Sequence, residues 1–239
     1  ELLVDMVGED KVLIDEPMSA HTTFRIGGKA DVLLTLSDFR EIRAVADFAG
    51  NLGIPYTFIG NGSNLLVSDE GIEGIVIMLK ESEYEAVPEE LEDGRAMFRV
   101  PAGASLSSFA KQAAKLGYKG TEFAAGIPGS VGGGVAMNAG AYGGEIKDII
   151  FSATVLDKKL NKKVLTATEL ELEYRNSAVL KNGYVVLEAE FILEKGDVEE
   201  SLAIISDLNG RRRDKQPLEF PSAGSTFKRP EGYFAGKLI

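Results

Sequence analysis

Two stretches of this chain gather glycine, hydroxyl and amide residues at a density that suits chemistry done by the main chain. The first is Gly60-Asn61-Gly62-Ser63-Asn64, followed by Leu65. Successive N–H groups in such a turn form a concavity for an anion, and Ser63 and Asn64 add side-chain donors. The second carries eight glycines between Gly126 and Gly144. It opens as Gly126-Ile127-Pro128-Gly129-Ser130-Val131-Gly132-Gly133-Gly134 and continues through Asn138-Ala139-Gly140-Ala141-Tyr142-Gly143. Ile127, Val131, Val135 and Met137 interleave the glycines, so this is no flexible linker. Glycine tolerates positive φ and close backbone approach, so the segment reads as main chain laid against a flat ligand or phosphates. Neither stretch is a Walker A loop or a Gly-x-Gly-x-x-Gly fingerprint. Each alone also fits a strand-to-loop turn; the pair points to pyrophosphate binding.

Other residues carry chemistry only in company. Arg175, in Tyr174-Arg175-Asn176-Ser177, reads on composition alone as a surface cation. Ser225 follows Gly224 in Ser222-Ala223-Gly224-Ser225-Thr226-Phe227-Lys228-Arg229, where the plain reading is a hydroxyl-stabilised turn. Arg211-Arg212-Arg213 is most simply the cationic end of a helix. The chain has no cysteine, which excludes disulfides, thiolate metal sites, iron–sulfur clusters and Cys nucleophiles. Its one histidine, His21, excludes multi-histidine zinc sites, and no metal is expected. The net charge of −11 disfavours general binding to nucleic acid or anionic membrane. No long apolar run or signal peptide is visible, so a soluble cytoplasmic protein is expected, its oligomeric state not fixed by the sequence, with a monomer slightly favoured.

The elements that must position these residues are partly legible. Ser37 is placed to cap a helix with Phe39, Ile42, Ala46 and Ala49 on one face and Gly53 past its end. Ser105 caps a second, with Leu106, Phe109, Ala110, Ala113 and Leu116, and Gly117 beyond it. Each helix leads through a short strand to a glycine-serine loop, a weak internal echo. Strands are expected at 31–36, 74–79, 96–101, 151–157 and 184–193. The last alternates Val186, Glu188, Glu190 and Ile192 against Val185, Leu187, Ala189, Phe191 and Leu193. A third helix starts near Asp197, with Glu200 placed for a capping box and Leu202, Ile205 and Leu208 as apolar positions. The mixture indicates an α+β fold. Residues 206–239 carry net charge +3 against −14 for the rest, which places a boundary near 205.

Taken in order, these segments resemble the UDP-N-acetylenolpyruvoylglucosamine reductase family of bacterial cell-wall synthesis. The resemblance rests on His21-Thr22-Thr23-Phe24-Arg25-Ile26-Gly27-Gly28, Gly60-Asn61-Gly62-Ser63-Asn64-Leu65-Leu66 and Gly126-Ile127-Pro128-Gly129-Ser130-Val131-Gly132-Gly133. Met137-Asn138-Ala139-Gly140-Ala141-Tyr142-Gly143, Tyr174-Arg175-Asn176-Ser177 and Ala223-Gly224-Ser225-Thr226-Phe227-Lys228 complete it. It implies a two-part FAD-binding α+β fold of the vanillyl-alcohol-oxidase type, over 1–80 and 81–205, with a smaller α/β substrate domain beginning at 206–239.

The resemblance also implies roles. Non-covalent FAD would lie on Gly60, Asn61, Gly62, Ser63, Asn64 and Leu65, and on Gly126, Ile127, Pro128, Gly129, Ser130, Gly132 and Gly133, with Asn138, Ala139, Gly140, Tyr142 and Gly143 nearby. His21 reads as structural, the alternative being a covalent flavin attachment. NADPH would be the co-substrate and an enolpyruvyl UDP-sugar the substrate. Ser225 would be the proton donor, Arg175 the partner of the substrate carboxylate, and Tyr174, Lys215, Lys228 and Arg229 substrate contacts. The family commonly has Asn where this chain has Arg229. No extra tyrosine-bearing loop appears between 175 and 205, as in the shorter subtype. The family's C-terminal glutamate has no counterpart before Ile239, so the chain is expected to be part of a longer protein, impaired as it stands. Two other readings remain: a flavin-dependent oxidase of a small alcohol or hydroxy acid on the same fold, and a non-catalytic flavin-binding module.

Overall fold

The computed structural model describes residues 1–239 except Ser82, Arg229, Glu231 and Phe234. Strands β1 (Val12–Pro17), β2 (Lys29–Leu36), β3 (Tyr56–Ile59) and β4 (Ile72–Leu79) form one sheet in the order β1-β2-β4-β3. β1 runs antiparallel to β2, and β4 runs parallel to both β2 and β3. Strands of one direction need a crossover. Helix α2 (Phe39–Leu52) supplies it, with the short α1 (Leu2–Val7) packed against it.

α2 buries Ile42, Val45, Ala46 and Ala49 and ends on the left-handed Gly53. Its cap is Asp38, not Ser37: the Asp38 carboxylate accepts the N–H groups of Arg40 and Glu41 at 2.6 and 3.2 Å. An ionised acceptor at the positive end of the helix prevails over the neighbouring hydroxyl.

A second sheet is antiparallel throughout. It is built from β5 (Glu89–Glu90), β6 (Ala96–Pro101), β7 (Tyr118–Lys119), β10 (Ile150–Leu156), β11 (Lys162–Thr166) and β12 (Val185–Lys195). Its order is β11-β10-β12-β6-β5, with β7 paired to the end of β12. Between β7 and β10 lies a two-stranded hairpin, β8 (Gly140–Ala141) with β9 (Gly144–Glu145). Helices α3 (Leu106–Lys115), α4 (Val131–Ala136), α5 (Ala178–Asn182) and α6 (Val198–Lys215) accompany this sheet. Ser105 caps α3 as expected. Asp197 caps α6 through the Glu200 N–H at 2.9 Å, one half of the expected capping box. Of the apolar positions expected on α6, only Ile205 is buried.

One apolar core runs through both layers. Leu34, Leu36, Val45 and Ile77 of the first sheet and its helix join Phe98, Tyr118 and Phe191 of the second sheet and Phe109 of α3. The rings meet largely edge to face, Phe98 to Phe109 at 5.7 Å and Phe98 to Tyr118 at 5.2 Å. A smaller cluster of Met18, Leu33, Ile59, Val67, Val76 and Met78 fills the other face of the first sheet, with Leu65 packed against it. That cluster anchors the segment that follows β3.

Candidate functional site

The two glycine-rich loops meet. A Cβ built on Gly60 would collide with the Ser130 hydroxyl, and one on Gly129 would lie 3.5 Å from Ser63 Oγ. The weak echo of helix, short strand and loop thus has a spatial meaning: each half delivers its loop to a common place. Leu65 turns its side chain into the small cluster beneath, so its contribution to a ligand is its N–H.

Both loops carry unused donors. Among the described residues, the N–H groups of Gly60, Asn61, Gly62, Ser63, Asn64 and Leu65 find no acceptor, nor do those of Gly129 and Ser130. The side chains of Asn61, Ser63 and Asn64 are likewise without a hydrogen-bond partner there. The next N–H groups are committed: Val131 donates to Ala104 and Gly132 to Ala102, both at 2.9 Å, and Gly133 to Ser130 Oγ at 3.3 Å. The donor-rich part of the second loop is therefore narrower than 126–133.

The reason is α4. The glycine run does not continue as open main chain but coils into a helix capped by Ser130. Glycine disfavours helix by about 1 kcal/mol per residue, so packing has to supply the difference. A Cβ on Gly132 would stand 2.8 Å from Ala102 Cβ, and one on Gly134 3.0 Å from Leu106. Gly133 is exposed, and a Cβ there would meet only its own capping hydroxyl, so no neighbour in the chain calls for glycine at this position. A cofactor with two phosphates and a flat ring fits these features: clustered free donors, glycines at the point of approach and one bare helix face.

A second group gathers around the β8–β9 hairpin. Buried Asn138, with φ of 40°, is its knot: its amide N donates to Glu145 Oε2 at 2.7 Å and to the Glu173 carbonyl at 3.2 Å, while its oxygen accepts the Lys147 N–H at 3.0 Å. Glu145 also binds the Lys147 ammonium, which raises the lysine's pKa above its ordinary value. Ala139 is buried, whereas Tyr142, with φ of 54°, and Gly143 form the exposed hairpin tip. Arg175 joins this group, donating from Nη2 to the Gly140 carbonyl at 3.2 Å, with its guanidinium 5.4 Å from the Tyr174 ring centre. Ser177 fixes the same turn to α4, donating to the Ala136 carbonyl at 2.7 Å.

The C-terminal segment touches the first loop indirectly. Gly62 has φ of 61°, and a Cβ there would strike the His21 carbonyl. The Thr23 N–H donates to the Gly62 carbonyl at 3.2 Å, and the Thr23 hydroxyl to the Ser222 carbonyl at 2.6 Å. His21 itself is engaged by Glu16, Nε2 to Oε1 at 2.7 Å, in keeping with a structural histidine. Ser225 follows Ser222 by three residues and is exposed, as are Lys215 and Lys228. No hydrogen bond or ion pair joins Ser225, Lys215 or Lys228 to Arg175 among the described residues. Arg229 lies outside the described residues.

Sequence reasoning missed Arg212. It sits inside the last turns of α6, and its Nη1 lies 3.3 Å from where a Gly126 Cβ would be. Among the described residues Arg212 has no carboxylate partner, unlike Arg211, which pairs with Asp207 at 2.7 Å. The signal was present as a basic run, but only the docking of α6 on the glycine loop separates Arg212 from its neighbours. No helix among the described residues is long and apolar enough to cross a membrane.

The comparisons with known proteins agree with this geometry. An FAD binding domain family model matches residues 30–159, a span that includes both donor loops and the β8–β9 hairpin. A curated relative from Lachnoclostridium phytofermentans, named UDP-N-acetylenolpyruvoylglucosamine reductase, is 50% identical over 237 residues, covering 99% of this chain and 76% of its own length. The crystal structure of the UDP-N-acetylenolpyruvylglucosamine reductase (MurB) from Thermus caldophilus matches with a TM-score of 0.79 at 32% identity, covering 96% of this chain and 78% of that one. A VAO-type flavoprotein from Myceliophthora thermophila, 14% identical with a TM-score of 0.52, covers 70% of this chain and 32% of its own, and shares the fold.

Proposed function

This chain belongs to the UDP-N-acetylenolpyruvoylglucosamine reductase family, and we propose that it uses FAD and NADPH to reduce UDP-N-acetylglucosamine enolpyruvate to UDP-N-acetylmuramate, a cytoplasmic step of peptidoglycan precursor synthesis. The observation that carries this reading is the convergence of two loops with unused N–H donors at Gly60 and Ser130, onto which the segment bearing Ser225 is tied through Thr23. FAD, when bound, supplies the hydride it takes from NADPH to the vinyl carbon of the substrate.

The chain's own residues bind, orient and protonate. The free N–H groups of 60–65 and 129–130 hold the cofactor's diphosphate, with Arg212 as a cation beside Gly126. Arg175 pairs with the substrate carboxylate, onto which charge spreads as the vinyl carbon is reduced; a planar guanidinium matches that group with two parallel bonds. Ser225 holds its hydroxyl proton for the carbon next to the carboxylate. A serine is a very weak acid, but the acceptor is a strongly basic carbanion, so position matters more than acidity. Lys215 and Lys228 attract the substrate diphosphate, and Tyr174, whose ring lies against the Arg175 guanidinium, is a further substrate contact. We read residues 1–80 and 81–205 as two FAD-binding parts and 206–239 as the start of a substrate-binding part, the second boundary falling within α6, which continues to Lys215.

Anaerobic stopped-flow tests the reading. NADPH is expected to bleach the yellow holoenzyme, and the enolpyruvyl UDP-sugar to restore the colour. Ser225→Ala should leave the bleaching intact and slow colour return by about a hundredfold or more. Equal loss in both phases removes Ser225 from the acid role, and colour return with oxygen alone favours an oxidase.

A further inference from the structure

The contact at Thr23 that ties the cofactor loop to the Ser225 segment has so far been given no part in the chemistry. The Thr23 N–H donates to the Gly62 carbonyl at 3.2 Å, inside the loop of free donors. Its hydroxyl donates to the Ser222 carbonyl at 2.6 Å, and its own carbonyl accepts the Ser222 N–H at 3.1 Å. One residue is thus bonded on one side to the cofactor loop and on the other, twice, to the segment that carries Ser225. The remaining link is short. Three residues of chain reach at most about 11 Å, and the Gly224 N–H folds back to Ser222 Oγ at 3.1 Å, which shortens it further. The neighbouring residues secure Thr23 itself: buried Thr22 donates its hydroxyl to the Ile26 carbonyl at 3.2 Å, and the Arg25 N–H returns to the Thr22 carbonyl at 3.1 Å.

We propose that Thr23 is a positioning residue, a clasp that sets the Ser225 hydroxyl in register with the cofactor loop so that proton delivery follows reduction of the vinyl carbon without a search. The proposal rests on the reading of Ser225 as proton donor. The clasp is specific to the hydroxyl, because the backbone bonds of Thr23 survive substitution while the bond to the Ser222 carbonyl does not. Valine keeps the shape and removes the donor; serine keeps the donor and removes a methyl group.

Two measurements test it. The first needs no turnover: amide hydrogen exchange across 220–228 in the holoenzyme is expected to quicken about five- to tenfold in Thr23→Val, the loss of one hydrogen bond, and to stay near wild type in Thr23→Ser. The second is single-turnover colour return with the UDP-sugar substrate. Thr23→Val should slow it by a similar factor, Thr23→Ser should restore it, and Thr23→Val should add nothing in a Ser225→Ala background. Should Thr23→Val fail to fold, Thr23→Ala, which removes the same hydroxyl and leaves the backbone bonds in place, is expected to give the same exchange result. Unchanged exchange, failure of serine to rescue, or an equal effect of Thr23→Val with and without Ser225 overturns the proposal. If Ser225→Ala alone leaves colour return intact, the proton-donor reading fails, and the exchange result still decides whether the clasp exists.

Discussion

Arg175 occupies a backbone conformation that side chains avoid, with φ of 55°. Such a residue costs of order 1 kcal/mol or more and persists only where its surroundings impose it. Here the imposing features are the paired bonds between Glu173 and Asn176, at 3.0 and 3.2 Å, which close a tight turn around Tyr174 and Arg175. The turn aims the guanidinium at the β8–β9 hairpin, where one NH2 group donates to Gly140 and the other nitrogens find no acceptor among the described residues. Lysine offers neither the fork nor the reach to hold both partners. Arg175→Lys is therefore expected to lower the rate of colour return by about ten- to a hundredfold, the worth of a charged hydrogen bond, while NADPH still bleaches the holoenzyme. Turnover at the wild-type rate would remove Arg175 from the carboxylate site.

Among the elements, the β10–β11 hairpin carries the clearest dependence on pH. Asp157 at its turn accepts the N–H groups of Asn161 and Lys159 at 2.9 and 2.8 Å and pairs with Lys163 at 3.0 Å. These bonds, that from Asn161 foremost, hold its carboxyl at about 2, below the ordinary 3.8. The folded value is the lower one, so the stabilisation is complete above the unfolded pKa and is lost as pH falls toward about 2. Asp157→Asn should flatten the decline in urea midpoint between about pH 5 and pH 2, and an unchanged slope would show that Asp157 does not govern it. Elements whose signals are local were legible before the structure: α2 and β6 follow from apolar spacing, α3 from its Ser105 cap, and the 60–65 loop from its turn residues, although the cap of α2 proved to be Asp38. Those that depend on partners were not. α4 hides in a glycine run because its stability comes from Ala102 and Leu106. β12 keeps its alternation but changes phase at a bulge opposite Thr154 and Val155, so Val186 is buried on the same side as Ala189, Phe191 and Leu193. β1 is an exposed edge strand whose pairing with β2 defines it more than its own sequence does. The donor loops were readable residue by residue, yet their contact at Gly60 and Ser130, the place of Arg212 and the bond from Thr23 to Ser222 join residues far apart in the chain.

At the scale of the whole molecule, charge and connectivity act together. A polyanionic UDP-sugar approaches a body of net charge −14, and the +3 of residues 206–239 gives it a local attraction. That same stretch leaves α6 at Gln216 and runs exposed over the surface until Thr23 receives it. The partners Thr23 and Ser222 are 199 residues apart. Closing so long a loop costs entropy that a few exposed hydrogen bonds do not repay by themselves, so the contact depends on both sheets and α6 being in place. An exposed contact with little apolar burial behind it is expected to be released first on warming. Heat should accordingly silence this enzyme in two stages: colour return fades over a range several degrees below the melting of the sheets, with the yellow cofactor still retained and activity recovered on cooling. Inactivation that coincides with loss of circular dichroism would mean the strap and the sheets come apart as one.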